Sequence, residues 1–537
     1  MSKLLHVLWI AILISVCLAK LSKEEERENR LVEEENRMTA DAAAKGALLV
    51  GSSNALVPDA SAEHPLIISN PDDQPLCKPN TTLTSSRPLK VMEGYEYLVL
   101  ANDIPNPRKL LFDQANHLLV MSPLEGLYSV RMDECGNTDI KLILESDELD
   151  ATIGHGVALF DRHIFVSTAN SVYKFPYSDG QHSAIQNGVK VINNIHPDNP
   201  DAATDLAVDP FGHMFIPRTV NDLNEKVGPN DAMIKKFNLR LIPEHGFDYE
   251  VDGEVHAVGT NTQGTMGFDA QARLWGINGR TSADIRREDI SSLDNLAISG
   301  LAEEMNLYEF PKLNYGYPYC MTEYDLTKVS TSGKGLGTQW AHPTFMNDSL
   351  PLDTYCQDED LNRPPAVPLP SNSFASSVFF FMGTFCSVGD LTTHGSSVGL
   401  PCNWTDTPII ANHGLAETAG GHNVVRLHFD DVGHKPRWDK EPEVILQETG
   451  ACTGPGCISP FGLAVDTFGR LFISSDETNE IFLVSRIYNQ NAVKLLTDRA
   501  NAEDGDDDDD EDEKKDDDDD DDDEDSDKKK KHDDDDE

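Results

Sequence analysis

The chain has 537 residues, 39% of them hydrophobic, and a formal net charge of −49. That length is ample for one large domain or two ordinary ones. A field of that sign repels phosphate backbones and anionic lipid surfaces, which argues against nucleic acid and leaves divalent cations or basic surfaces as electrostatic partners.

In chain order, Met1-Ser2-Lys3 is a short basic start, Leu4 to Leu18 an apolar run, and Ala19 a small residue where a peptidase can cut. The run is shorter than the roughly 20 residues that cross a bilayer, and no stop-transfer pattern follows it. Residues 1–19 are therefore expected to be a signal peptide, the protein secreted, and the chain without a transmembrane segment. Residues 20–89 form a charged segment and linker. Lys20 to Arg37 is dense in Glu with no wide apolar stripe, and the stretch after it is rich in Ala, Ser, Asn and Pro.

Nine cysteines are present, and Cys17 leaves with the signal peptide. The eight that remain in an oxidising compartment suggest four disulfides. Proximity favours Cys320–Cys356, Cys386–Cys402 and Cys452–Cys457, and elimination leaves Cys77–Cys135; spacing alone does not fix the connectivity. Sequons at Asn80, Asn347 and Asn403 predict glycosylation in a eukaryotic host.

From 90 to 488 the pattern becomes short apolar runs between clusters of Gly, Pro, Asn and Asp, an all-β signature. One unit recurs: an apolar pair, an Asp, a turn, then two or three apolar residues. Its Asp residues are Asp113, Asp161, Asp209, Asp269 and Asp466. Each unit predicts a hairpin whose Asp bonds the turn backbone. The spacing of the first three matches one four-stranded propeller blade plus loops. The long gap before Asp466 must hold a degenerate blade and insertions, with Val378 to Met382 and Val424 to Phe429 as strands. The expected fold is an all-β, six-bladed β-propeller; a pair of β-sandwiches does not explain the repeat.

Residues 489–537 are an acidic tail. Glu503 to Glu537 carries 26 Asp or Glu against 6 Lys, and such runs bury nothing and repel themselves. The tail is expected to be disordered, either a solvated solubilising segment or a low-affinity collector of calcium or basic surfaces.

Asn306 followed by Asn314-Tyr315-Gly316-Tyr317-Pro318-Tyr319-Cys320, then the proline-rich Pro364 to Pro370, then His413-Gly414 with Val424 to Asp430, then Pro460 to Asp466 with Ser474-Ser475-Asp476, stand in order along the chain. Together they resemble the glucose/sorbosone dehydrogenase-like family of soluble quinone-dependent sugar dehydrogenases. The resemblance implies a six-bladed propeller whose active members hold pyrroloquinoline quinone beside a calcium ion and oxidise a sugar at its anomeric carbon. It assigns the general base to His155, in Gly154-His155-Gly156, since an imidazole near its ordinary pKa can take a hydroxyl proton at neutral pH. By the same likeness Asn261, Thr262, Thr418 and Asn423 stand at cofactor positions, and Asn278 and Gly279 at the metal.

The chain departs from the family at the cofactor. Asn261, Thr418 and Asn423 occupy positions where the family carries basic side chains, and charge-assisted bonds to carboxylates are worth about 1.5–3 kcal/mol each. Arg280 and Arg108 are the cations that could compensate, and the reading preferred for each is a loop or surface charge. Two functions follow: a quinone-dependent sugar dehydrogenase, or a non-catalytic extracellular matrix or mineral-associated protein that binds carbohydrate and calcium.

Overall fold

The computed structural model describes residues 82–485, apart from short internal stretches that include 134–135, 221–230, 280–284, 291–299, 384–398 and 415–419. Within that span the chain is a ring of six antiparallel sheets. Blade 1 is built from Leu110–Phe112, Leu118–Ser122, Gly126–Met132 and Thr138–Glu145. Blade 2 uses Ile153–Phe160, His163–Thr168, Val172–Pro176 and Val189–Asn193. Blade 3 uses Ala207–Val208, His213–Arg218, Met233–Asn238 and Glu254–Val258. Blade 4 uses Gly267–Phe268, Leu274–Asn278, Glu303–Tyr308 and Val367–Leu369. Blade 5 uses Ala375–Phe380, Pro408–Asn412, Asn423–Arg426 and Glu443–Glu448, and blade 6 uses Pro460–Val465, Leu471–Ser475 and Glu480–Ser485.

The ring is closed by the chain's early residues. Glu96–Ala101 adds the outermost strand of blade 6, antiparallel to Glu480–Ser485, and Leu89–Val91 lies along Glu443–Glu448 of blade 5. Ser86 binds both carboxylate oxygens of Glu480, and Leu83 bridges Val99. The folded unit thus begins by Leu83, ahead of the boundary at 90, because edge strands left unpaired are a liability that this strap removes.

Six apolar clusters lie between consecutive blades. In blade 1, Leu118 and Val120 pack toward blade 6 while Leu119 and Met121 pack toward blade 2. Successive side chains point to opposite faces and both faces are covered, so the strand is apolar throughout instead of alternating. Each such side chain contributes about 1.5–3 kcal/mol on burial. The gap between Asp269 and Asp466 contains blade 5 and a large insertion in blade 4, whose small core surrounds the Cys320–Cys356 disulfide.

The hairpin Asp residues behave as their spacing predicts at four positions. Oδ1 of Asp113 accepts from His117 N, of Asp209 from Phe211 N and His213 N, of Asp269 from Gln271 N and Arg273 N, and of Asp466 from Phe468 N and Arg470 N. Asp161 differs. It sits with Arg162 inside a two-residue turn, at φ 47° and 58°, and this tight mirror-type turn shapes the hairpin by itself.

Cys452–Cys457 is also formed. Cys77, Cys135 and Cys386 lie outside the described residues, and so does the side chain of Cys402. Asn403 is exposed on the turn Cys402–Trp404, whereas Asn80 and the side chain of Asn347 lie outside the description.

Candidate active site

The innermost strands run in a common direction, as the parallel bridge between Thr265 and Ser377 shows across blades 4 and 5. Their first residues therefore form one rim around the axis, and their Asp hairpins form the other. The channel between the rims has a volume of about 930 Å3. Its lining runs from Lys109, Leu206 and Thr265 down to Asp113, Asp161 and Phe268, so it opens toward the hairpins, and Lys109 is the one charged group of the opposite rim among its lining residues.

His155 is near the start of the innermost strand of blade 2. The glycines on either side of it are required by backbone contact with blade 3: a Cβ on Gly154 would stand 2.6 Å from the Thr204 carbonyl oxygen, and one on Gly156 2.6 Å from Leu206 N. The ring is 1% exposed, and neither nitrogen makes a directed hydrogen bond. Burial pushes its pKa down to about 4; Asp205 and the Gly264 backbone oppose this, and Arg108 and Lys109 reinforce it. His155 is thus a neutral imidazole at pH 7. A buried polar group left without a partner costs about 1–3 kcal/mol, which a ligand bonding to it would recover.

The Phe461 ring stands edge-on to His155 at 5.3 Å and joins the rest of the rim. Arg108 lies over its face, with Cζ 4.8 Å from the ring centre, and donates through Nε to Asp476 at 3.1 Å. The other oxygen of Asp476 meets Nε2 of His413 at 2.8 Å. Burial opposes the charge on each, but the pairing with His413 and Arg108 holds Asp476 below the usual carboxylate range, and the bond to Asp476 lifts His413 above the usual imidazole one. Lys109 donates to Asp205 at 2.6 Å and to the Leu206 carbonyl at 2.5 Å, while Asp205 also accepts from Met266 N.

Asn261, Thr262, Asn278 and Gly279 come together in a second cluster at the start of blade 4. Oδ1 of Asn278 accepts from Asn261 N at 3.0 Å and from the Tyr308 hydroxyl at 3.1 Å; Thr262 is bonded to that same hydroxyl, and Gly279 N donates to the Asn261 carbonyl. The Asn261 side chain accepts from Val220 N. Beside them burial pushes Glu304 up to about 7, against its bonds from Thr322 and Asn278. Asn423 pairs with Asn412 across blade 5 at 2.7 Å. Thr418 and Arg280 lie outside the described residues.

Arg108 is therefore part of the inner rim, not an isolated loop charge. Lys109, Asp205, His413, Phe461 and Asp476 join it there, none of them singled out as site residues by sequence. Their signal is position at strand ends: Arg108-Lys109 and Asp205 stand just before innermost strands, Phe461 within the start of one, and His413 and Asp476 directly after the second strands of blades 5 and 6.

A six-bladed propeller with an orphaned neutral His, two cations and two carboxylates gathered on one axial rim is the frame of a propeller with a small-molecule site on its axis. Residues 89–487 match the TrAA12-like family, and the chain belongs to it. The curated relative, the pyrroloquinoline quinone-dependent sugar dehydrogenase of Hypocrea jecorina (strain QM6a), is 22% identical over 416 residues, covering 73% of this chain and 88% of the relative. Among solved structures, the iodide structure of the Trichoderma reesei Carbohydrate-Active Enzymes Family AA12 protein matches with a TM-score of 0.62 at 21% identity, over 75% of this chain and 99% of that one. The holo form of the pyranose dehydrogenase PQQ domain from Coprinopsis cinerea matches with a TM-score of 0.62 at 17% identity, over 76% and 99%. These structural likenesses establish the six-bladed ring.

Proposed function

We propose that this protein is a secreted sugar dehydrogenase that oxidises a carbohydrate at its anomeric carbon, using pyrroloquinoline quinone at the inner rim. The observation that carries this is His155, wholly buried and uncharged, with no directed hydrogen bond at either ring nitrogen and the Gly264 backbone as its polar neighbour, beside Arg108 and Lys109. Two described disulfides support an oxidising compartment.

The donors present fit a carboxylate-bearing quinone. Arg108 is bonded through Nε alone among the described residues, so its planar terminal nitrogens can hold a carboxylate, and Lys109 keeps one N–H beyond its two bonds. When bound there, the quinone supplies the acceptor for the hydride from the sugar. His155 takes the proton of the anomeric hydroxyl at a ring nitrogen, which is free at neutral pH. Burial has moved its pKa to about 4, away from the ordinary value on which the sequence-based assignment rests, so its position and not its basicity supports the role. Phe461 covers His155 and excludes water from it, and the Arg108–Asp476 pair fixes the guanidinium over the ring.

The calcium positions implied by the resemblance fit less well. Both lone pairs of Asn278 Oδ1 are taken by Asn261 and Tyr308, which leaves that oxygen nothing for a cation. Among the described residues, the grouping of His, Cys, Asp or Glu close enough to share an ion is Glu448 with Cys452 and Cys457, and the two sulfurs are joined in a disulfide. Reconstitution with the quinone, with and without Ca2+, followed by dye reduction on a panel of aldoses, tests the proposal. Turnover of an aldose is expected; a protein that takes up no quinone and reduces no dye would refute it.

A further inference from the structure

We infer that His413 is an imidazolium in the folded protein at neutral pH, and that its charge, with the terminal nitrogens of Arg108, is what the inner rim offers to a carboxylate-bearing ligand. The identity of that ligand rests on the quinone reading above; the charge on His413 does not.

A neutral imidazole has one N–H and one acceptor nitrogen. In His413, Nδ1 lies 2.9 Å from the Gly414 carbonyl oxygen and Nε2 lies 2.8 Å from Asp476 Oδ1. A carbonyl cannot donate, and Asp476 is an ionised carboxylate because Arg108 occupies its other oxygen. Both ring nitrogens face acceptors, so both carry protons. The backbone that carries the ring is held in place. His413 N and Gly414 N are bonded to the Phe374 and Ser373 carbonyls, and Gly414 takes φ 76° where a Cβ would strike the His422 ring at 2.5 Å.

Glu303 of blade 4 holds the Ser373–Ala375 segment against which His413 packs. Of the other titratable and charged groups around His413, Asp476 comes from blade 6 and Arg108 from the segment before blade 1. His155 of blade 2 lies across the Phe461 ring, uncharged, and His422 packs behind Gly414 with Nδ1 on the Ile458 carbonyl. With His413 charged, the described rim carries three cations, Arg108, Lys109 and His413, against Asp205 and Asp476. A further carboxylate, Glu303, accepts from Phe374 N and Ala375 N behind them, and the charge on His413 is what offsets this third acidic group. Since the raised His413 loses its proton as pH climbs, affinity for an anion at the rim falls with rising pH.

The test is NMR of histidine-labelled, full-length protein, together with fluorescence titration by pyrroloquinoline quinone between about pH 6 and pH 9. The histidine signal missing from His413→Gln is expected to have two protonated nitrogens at pH 7, and in Asp476→Asn to titrate nearer the ordinary imidazole range. Quinone affinity in the wild type is expected to weaken roughly tenfold as that signal titrates, and to be weak and flat with pH in His413→Gln, whose amide keeps one donor for Asp476. If His413→Gln does not fold, Asp476→Asn serves both measurements. A neutral His413 at pH 7 overturns the inference. A charged His413 with affinity that ignores its titration overturns its role toward the ligand. A charged His413 with no quinone binding at any pH overturns the quinone reading and supports the charge assignment.

Discussion

The two rims of the ring are built by opposite rules. The hairpin rim is repetitive: an Asp accepts backbone N–H groups at four of its hairpins, and the same short pattern generates it each time. The inner rim repeats nothing. Its six innermost strands open on Arg108-Lys109, His155, Asp205, Thr265, Phe374 and Phe461, which span cationic, imidazole, carboxylate, hydroxyl and aromatic groups. Repetition specifies stability, and its breakdown marks where the molecule acts on something else.

The comparison is broken most severely at His155. The substitution His155→Ala is expected to lower dye-coupled activity of the reconstituted protein by about 10²–10⁴-fold, the usual worth of a general base. Its thermal unfolding should fall only by the cost of the cavity left beside Phe461, since no directed hydrogen bond is lost. A variant that keeps activity but unfolds at lower temperature would make His155 a structural residue.

The mirror experiment is on the hairpin rim. Asp466 holds two backbone N–H groups and the Arg470 guanidinium at 2.7 Å, all buried. Replacing it by Ala leaves that charge unpaired and should cost about 3–5 kcal/mol in denaturant unfolding, with quinone affinity of the folded fraction unaltered.

Acid sharpens the contrast further. The pKa of His155 is about 4 when folded and near the ordinary value of about 6.5 when unfolded, so below pH 6.5 the unfolded chain binds a proton that the folded one refuses. Stability therefore falls between about pH 6.5 and pH 4, by up to about 3 kcal/mol from this residue. His196, also pushed down to about 4 by burial, adds to the same window. The His413–Asp476 pair has the reverse dependence in its histidine half: that contribution is present at low pH and lost as pH rises through the raised value, while the Asp476 half is lost only in strong acid. Urea unfolding of the wild type and of His155→Phe at about pH 7 and pH 5 should show a shallower loss in the variant. Equal losses would contradict the assignment of that window to His155.

The smallest effect is expected at Asp161. Its turn is set by backbone conformation, so Asp161→Asn should shift stability by less than about 0.5 kcal/mol, in contrast to Asp466. A loss comparable to that at Asp466 would mean the carboxylate itself holds this hairpin.

The same contrast explains what was legible in the sequence. A hairpin's apolar pairs, Asp and turn lie within a dozen residues, so blades 1 to 4 and 6 show in the order of residues. The closing strands do not: Leu89–Val91 and Glu96–Ala101 pair with strands more than 350 residues away, and nothing local announces the partner. Site residues follow the same rule. Family resemblance pointed to His155, but the Arg108–Asp476–His413 chain joins three distant segments whose motifs register locally only as strand ends. Asn278 shows the converse. Its position in Asn278-Gly279 is suggestive of a metal, but folding brings Asn261 and Tyr308 onto its oxygen.

The central claim is that the inner rim, and not the hairpin rim, receives the quinone. Fluorescence titration with pyrroloquinoline quinone of the wild type, Arg108→Ala and Asp161→Asn tests it most directly. Saturable binding that weakens at least tenfold in Arg108→Ala and is unchanged in Asp161→Asn is the predicted result. Absence of binding to the wild type, or weakening by Asp161→Asn with Arg108→Ala unaffected, would contradict it.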